Sequence, residues 1–569
     1  MSFVRRARTP ALLESLWAFR RRGARNSAQP SAAERGASAA CRHPAMGPRP
    51  SLDAARDRAA VGRMGAPVPA GGRDVAPLGT DVQGPGAVPV GLREAAASWT
   101  ASSARRSAVT VMSGQRMHFM GIGGIGMSGL ATICLERGCV ISGCDAKVNG
   151  SMQRLQERGA AITVGHDPGH LPGDIDTLVY SSAVSLHEPE LQAAQARGLR
   201  TISRGELLAA LAADRRLIAV AGAHGKTTTS GMIAQLLVHA GWDPTVTVGG
   251  VMLSMGTNAR AGAGAHVVAE TDESDGSFLR LHPNVAIVTN IDREHLNYYH
   301  SFERLVEAFQ QFVSQLRPGG LLIRCEDDPV VRQALSSARQ LSYGLDPDAD
   351  VTAEQLHLNG RGSGFRVRYR GRSLGSFALQ VPGRHNVSNA LAVIALGLAF
   401  DIPLLTIREA LGAFRGTRRR FQVTQLPGDI VVIEDYAHHP SEIQATLAAD
   451  AVGGGRHRLV VFQPHRYSRT QSLEREFTAC FDRADGVIVT DIYPAFEPPI
   501  PGVTGQRLAG LVKAHGHPCV RYVPREELTV FVTRVAQAGD TIFFLGAGDI
   551  GEMCHDVAAR LHLSTRAAR

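Results

Sequence analysis

The chain has 569 residues, of which 44% are apolar and 20% charged, with eight cysteines and a formal net charge of +9. That is the composition of a globular protein too long for one core, so several domains are expected. Residues 1–110 hold 17 Arg, no Lys and 7 acidic side chains, which accounts for the whole positive excess. The rest is near neutral, which argues against a nucleic-acid-binding body.

No run approaches the roughly 18 uninterrupted apolar residues of a membrane-spanning helix, so no membrane insertion is expected. The cysteines stand at 41, 134, 139, 144, 325, 480, 519 and 554, with no C-x-x-C pair. Neither a zinc motif nor a secreted disulfide framework is indicated, and a reducing, cytoplasmic setting fits.

Residues 1–115 are rich in Ala, Arg, Gly, Pro and Ser without helical or strand periodicity, and are expected to be a disordered extension. Three readings stay open for it: a stretch upstream of a true start at Met112 or Met117, an Arg-rich organelle transit peptide, or a basic arm.

From Met117 strands alternate with helices, the α/β pattern. MHFMGIGGIGMSGLATICLERG reads as strand, glycine turn and helix, and CVISGCD as a strand ending in Asp145. DTLVYSSAV is a later strand. LIAVAGAHGKTTTSGMIAQLLVHAG repeats strand, loop and helix, with Met232, Ile233, Leu236 and Leu237 on one face. VVAETDESD and VAIVTNID run from apolar strands into acidic loops, and NALAVIALGLAFDI is a helix with a break after it. VVIEDYAHHP, LVVFQPHRY, GVIVTDIYP and TIFFLGAGDIG form a last alternating set. Joints are expected at 213–216 and 416–420.

Two loops have the chemistry of phosphate sites. GIGGIGMSG opens a helix whose free N–H groups and dipole attract an anion, although such turns also serve only to pack a helix on a strand. Asp145, after the second strand, stands where dinucleotide folds read ribose. GAHGKTTT is more specific. Lys226 can lay its charge between phosphates and Thr227 can reach a magnesium ion, while Glu270, Asp292 and His295 lie at neighbouring strand ends. Val220 occupies the place of the first glycine of the common G-x-x-x-x-G-K-[ST] loop.

EDYAHHP and FQPHRYSRT each follow a strand. Arg466 and Arg469, three residues apart, suit a carboxylate, or are ordinary surface cations. The paired histidines at 438 and 439 are a weak metal signal, because adjacent side chains in a loop diverge. GAGDIG at 546–551 reads as a strand-to-helix turn rather than a dinucleotide loop.

Together these motifs resemble the Mur ligase family of ATP-dependent amide-forming enzymes, from about Met117 to the end of the chain. The family's short G-x-x-G-K-T loop accounts for Val220. HFMGIGGIGMSG, ETDESDGSFL, GRHNVSNA, EDYAHHPSEI, FQPHRYSRT and DIYPAFEPPIPGVTG are similar to the member that adds L-alanine to UDP-N-acetylmuramate. The runner-up joins a murein tripeptide to the same acceptor in recycling. From another class, a nicotinamide-dependent oxidoreductase would use the glycine turns but leave GKTTT unexplained.

The resemblance implies three α/β domains, each an open, mostly parallel sheet with helices. These are a Rossmann-like N-terminal domain (116–213), a P-loop-type central ATPase domain (214–417) and a Rossmann-like C-terminal domain (418–569). It implies that the UDP portion is held by Gly121, Gly123, Gly124, Ile125, Gly126, Asp145, His166, Ser181 and Ser182. ATP is expected on Gly222, Ala223, His224, Gly225, Lys226, Thr227 and Thr228, with Asn386 and Asn389 by the adenine and Arg420 and Asp435 reaching in from the third domain. Mg2+ is expected on Thr227, Glu270 and His295. Tyr436, His438, Arg466 and Arg469 would frame alanine, and Lys226, Glu270, His295 and His438 would serve catalysis. Ala223 and Thr271 replace the family's commoner Thr and Ala, and AFQQF offers no lysine for a carbamylated metal bridge. Monomer and weak homodimer both stay open.

Overall fold

A computed structural model describes residues 111–449 and 457–567. The expected disordered extension, apart from 111–115, lies outside the described residues.

Three sheets follow one another along the chain. The first is wholly parallel, with β1 (Arg116–Met120), β2 (Val140–Asp145), β3 (Ala161–Val164), β4 (Thr177–Tyr180) and β5 (Arg200–Ser203) in the order β3-β2-β1-β4-β5. The chain order reverses beside β1, so the glycine turn after β1 opens at a crevice between diverging connections, where open sheets bind ligands.

The second sheet holds ten strands. They are β6 (Arg216–Ala221), β7 (Thr245–Thr247), β8 (Ala259–Arg260), β9 (His266–Glu270), β10 (Val285–Val288), β11 (Leu321–Cys325), β12 (Gln340–Gly344), β13 (Val351–Leu358), β14 (Ser363–Tyr369) and β15 (Arg372–Leu379). In it β6 lies between β9 and β10, in parallel register with both: Val220 faces Glu270 on one side and Ile287 on the other. Val220 is therefore a strand residue, wholly buried, and not part of the loop. The antiparallel β13–β15 extension was not expected from the sequence; left-handed Arg370 and Gly371 make its second turn.

The helix Lys226–His239 follows the loop, and its Met232, Ile233, Leu236 and Leu237 are wholly buried. It packs on the helix Arg384–Ala399, whose other side meets β12 and β13. Apolar on all sides, that second helix has the composition of one buried all round. It starts at Arg384, five residues before the expected run, where Gly383 at φ 102 turns the chain.

The third sheet comprises β16 (Gln422–Leu426), β17 (Ile430–Asp435), β18 (Arg458–Phe462), β19 (Gly486–Val489), β20 (Val520–Tyr522) and β21 (Thr541–Leu545), in the order β16-β17-β21-β18-β19-β20 with only β16 antiparallel. The loops after β17 and β18 thus flank the end of β21. GAGDIG is the turn from β21 into the helix Ile550–Ala567, as the strand-to-helix reading has it.

One apolar cluster joins the first two sheets, with Leu207, Leu208 and Leu211 packed in the same core as Phe278 and Leu281. Among the described residues no helix is long and apolar enough to cross a membrane.

Candidate active site

The phosphate loop is shaped by its glycines and held from β10. Gly222 (φ 131) and Gly225 (φ 81) adopt conformations that L side chains rarely reach, and a Cβ at Gly225 would lie 2.6 Å from Asn389 Oδ1. The His224 N–H donates to Asn290 Oδ1 at 2.8 Å, the Ala223 N–H to the Asn290 carbonyl at 3.2 Å, and Thr289 Oγ1 to the His224 carbonyl at 2.6 Å. Gly225 caps the helix Lys226–His239, so the first-turn N–H groups face the loop's hollow. Thr228 follows in that turn, half-buried.

Acidic groups from β9 and the loop beyond β10 converge on this loop. Thr227 Oγ1 donates to Glu270 Oε1 at 2.9 Å. Lys226 Nζ donates to the Gly222 and Ala223 carbonyls and, at 2.8 Å, to Glu273 Oε1. Burial works against its charge, but Glu273 and its acidic neighbours raise Lys226 to about 12, so it stays cationic. Burial pushes Glu273 up to about 7 even though Lys226 pulls it down.

The expected metal set is divided between two places. Thr227 and Glu270 bind each other, whereas the left-handed His295 lies 3.7 Å from Glu273 Oε1 and 3.6 Å from Glu294 Oε2. Donor atoms of Glu273, Glu294 and His295 all fall within 4.8 Å of one another. Glu273 Oε2 and Glu294 Oε1 are buried without a hydrogen bond, as oxygens awaiting a cation would be. Burial lowers His295 to about 4, leaving it neutral and able to ligate.

The third sheet supplies the opposite wall. Arg420 lies over Tyr436 at 4.9 Å and 3.6 Å from Glu442 Oε1. His438 is fixed by its own N–H on Glu442 Oε2 (3.0 Å) and by Nδ1 against the Tyr436 carbonyl (3.0 Å); burial, then Arg469, lower it to about 4. Arg469 reaches His465 Nδ1 at 3.2 Å and lies 3.7 Å from Glu294 Oε1, crossing from the third sheet to the acidic cluster. Arg466, at φ 71, turns toward Glu497 at 3.7 Å.

A second bridge binds the phosphate loop itself to the third sheet. His224 Nε2 meets Asp292 Oδ2 at 3.0 Å and Nδ1 meets Glu442 Oε1 at 3.3 Å, while Ser441 Oγ donates to the same Asp292 oxygen at 3.0 Å. Burial alone would lower His224, but its bonds to Asp292 and Glu442 raise it to about 10. A histidine raised in the folded state stabilises fully below its ordinary value of about 6.5 and progressively less up to its folded value. The difference in Tm between wild type and His224→Gln is therefore expected to be largest near pH 6 and to shrink steadily toward pH 10. Melting curves at several pH values check this, and a difference that is flat over the range contradicts it.

Five side chains expected at bound ligands also make contacts within the protein. Asp145 Oδ2 accepts the Gly123 N–H at 2.9 Å and so closes the first glycine loop. His166 turns its Nδ1 to Cys144 Sγ at 3.0 Å. Asn389 sits under Gly225 and donates to Asn386 Oδ1 at 3.4 Å, and both are buried. Asp435 accepts the N–H groups of Phe421 (3.0 Å) and Ala437 (2.8 Å), and burial raises it to about 6. Ser181 flanks Gly121, Ser182 is exposed, and Gly124 caps the helix that starts at Ile125.

One cleft of about 980 Å³ joins these walls. Ile125 and Gly126 line it from the first sheet, Lys226 and His295 from the second, and His438 and Arg469 from the third. Ala223, Gly225, Thr227, Glu270, Arg420, Tyr436 and Arg466 also face it. Sequence reasoning missed Glu294, Glu442 and His465 on its walls, and Glu273 behind Lys226. Position gave a hint for each: Glu294 adjoins His295, and Glu273, Glu442 and His465 lie within ETDESD, EDYAHHPSEI and FQPHRYSRT.

Family models match almost the whole described chain: a Mur ligase family catalytic domain over 116–216, a Mur ligase middle domain over 220–397, and a Mur ligase glutamate ligase domain over 419–548. The UDP-N-acetylmuramate–L-alanine ligase of Sorangium cellulosum is 45% identical over 79% of this chain and 96% of its own. The chain belongs to the Mur ligase family.

Among solved structures, the UDP-N-acetylmuramate–alanine ligase of Thermotoga maritima is 30% identical, with a TM-score of 0.69 over 80% of this chain and all of the other. A murein peptide ligase from Psychrobacter arcticus shares the fold, at 24% identity and a TM-score of 0.61 over 79% of this chain and 99% of its own. As a Mur ligase the chain is an ATP-dependent ligase of three α/β units, and the cleft lies where all three meet.

Proposed function

We infer that this Mur ligase joins L-alanine to the lactyl carboxylate of UDP-N-acetylmuramate with cleavage of ATP, a cytoplasmic step in building peptidoglycan precursors. The observation that carries the reading is the single cleft in which a phosphate loop, an acidic cluster and an arginine–histidine wall face one another. The names of the relatives favour alanine over a murein tripeptide as the incoming amine.

A carboxylate resists amines because oxide is its leaving group. The lactyl carboxylate oxygen attacks the γ-phosphorus of ATP, forming an acyl phosphate and releasing ADP. The amine of alanine then adds to the carbonyl carbon, and the tetrahedral intermediate expels phosphate to leave the amide. Lys226 and the first-turn N–H groups stabilise charge on the transferring oxygens. Thr227 with Glu270 at one place, and Glu273, Glu294 and His295 at the other, would hold Mg2+, and the buried Glu273 and Glu294 oxygens without hydrogen bonds fit it. Bound there, Mg2+ supplies positive charge to the phosphoryl oxygens.

Arg469 and Arg466 hold the carboxylate of alanine, and His438, neutral near pH 7, accepts a proton from its amine. The first glycine loop, shaped by Asp145 and flanked by Ser181, holds the UDP diphosphate, which stays intact. Glu442 and His224 tie the third domain to the phosphate loop, so closure of that domain positions the loop.

Phosphate release is the test. With UDP-N-acetylmuramate, ATP and Mg2+, L-alanine is expected to support turnover at least about 10²-fold better than a murein tripeptide. Equal rates would favour the recycling ligase, and no release with either would overturn the reading.

A further inference from the structure

Away from the cleft, in the core of the first sheet, four metal-ligand side chains from separate segments meet. They are His118 on β1, Cys144 on β2, His166 in the loop after β3, and Glu190 in the helix Pro189–Ala196. His118, Cys144 and Glu190 are all but inaccessible, while His166 keeps 18% of its side chain exposed on the outer side. His118 Nε2 lies 2.9 Å from Glu190 Oε1, Cys144 Sγ 3.0 Å from Glu190 Oε2, and His166 Nδ1 3.0 Å from Cys144 Sγ and 3.5 Å from Glu190 Oε2. One donor atom from each of His118, Cys144 and Glu190 falls within 4.8 Å of the others.

We propose that His118 Nε2, Cys144 Sγ and Glu190 form a zinc-binding site, with His166 Nδ1 completing it from the solvent side. Two imidazoles, a thiolate and a carboxylate are a zinc donor set. Zinc bonds of about 2.0–2.3 Å ask donors now near hydrogen-bond distance to spread by less than about 1 Å. Ser142 Oγ, 2.9 Å from His118 Nδ1, fixes that ring as an outer partner does at metal centres. Uptake breaks the Cys144 S–H bond, leaves the thiolate on the metal and releases the proton to solvent. The sulfur selects zinc over magnesium, so the reaction's own cation does not compete.

The Cys144 carbonyl accepts the N–H groups of Gly121 (2.8 Å) and Ile122 (3.1 Å), so occupancy would stiffen the base of the first glycine loop. The four ligands are scattered along the chain, so a search for C-x-x-C spacing does not find them.

The test uses the full chain, stripped with chelator and kept reduced, and titrated with Co2+. Wild type is expected to take up one Co2+ with a sulfur-to-cobalt charge-transfer band and tetrahedral visible bands, both abolished by added Zn2+. Cys144→Ser keeps a donor to Glu190 and so the fold, which a melting curve verifies; it is expected to lose the charge-transfer band and at least about 100-fold in Co2+ affinity. No such band in wild type, or a band that Cys144→Ser retains, overturns the proposal.

Discussion

Lys226→Ala is expected to lower the rate of phosphate release by about 10²- to 10³-fold, the usual effect of removing one charge-stabilising donor. The ammonium is already placed at the mouth of the loop, bonded to two loop carbonyls and to Glu273 at 2.8 Å, so ATP only has to displace Glu273. Because the lost interaction strengthens as the phosphoryl group moves, the fall belongs in kcat more than in KM. Stability should change little by comparison. Stranding a buried carboxylate usually costs about 3–5 kcal/mol, but Glu273 is already raised to about 7 and takes up a proton instead. Steady-state kinetics with a parallel melting curve separates the two effects; turnover near the wild-type rate would remove Lys226 from the mechanism.

Arg469→Ala is expected to lower kcat/KM for L-alanine by at least about 30-fold, the lower end of the 2–5 kcal/mol for truncating one partner of a buried charge pair. The guanidinium is tied to His465 and lies near Glu294, so it is oriented before the amino acid arrives. Arg466 lies beside Glu497 and is more exposed, so Arg466→Ala should cost less. The signature is a rise in KM for alanine larger than any rise in KM for ATP. An unchanged KM for alanine would take Arg469 out of the amino-acid site.

The phosphate loop was legible because all its parts are consecutive: two glycines that permit left-handed backbone, then Lys226 and Thr227 at the start of a helix. The α/β alternation was legible for the same local reason. What stayed hidden depends on distant pairings. Glu442 belongs to the phosphate loop's surroundings only because the first turn of the helix Pro440–Ala449, after β17, reaches His224. His465 matters only because Arg469 bonds it, and Glu273 only because Lys226 folds onto it. Asp145 and Asp435 stand at strand ends, and the sequence does not show that each also accepts a backbone N–H from a distant segment, Gly123 and Phe421 respectively. The β13–β15 extension was missed because the alternation of Phe365, Val367 and Tyr369 with Arg366 and Arg368 marks a strand but not its antiparallel partners.

On this mechanism the carboxylate of UDP-N-acetylmuramate is activated as an acyl phosphate in this cleft before alanine attacks. The most direct measurement labels that carboxylate with ¹⁸O, runs the reaction with ATP, Mg2+ and L-alanine, and weighs the phosphate released. Each phosphate is expected to carry one labelled oxygen, transferred when the acyl phosphate breaks down. Unlabelled phosphate, with amide formed, would contradict it.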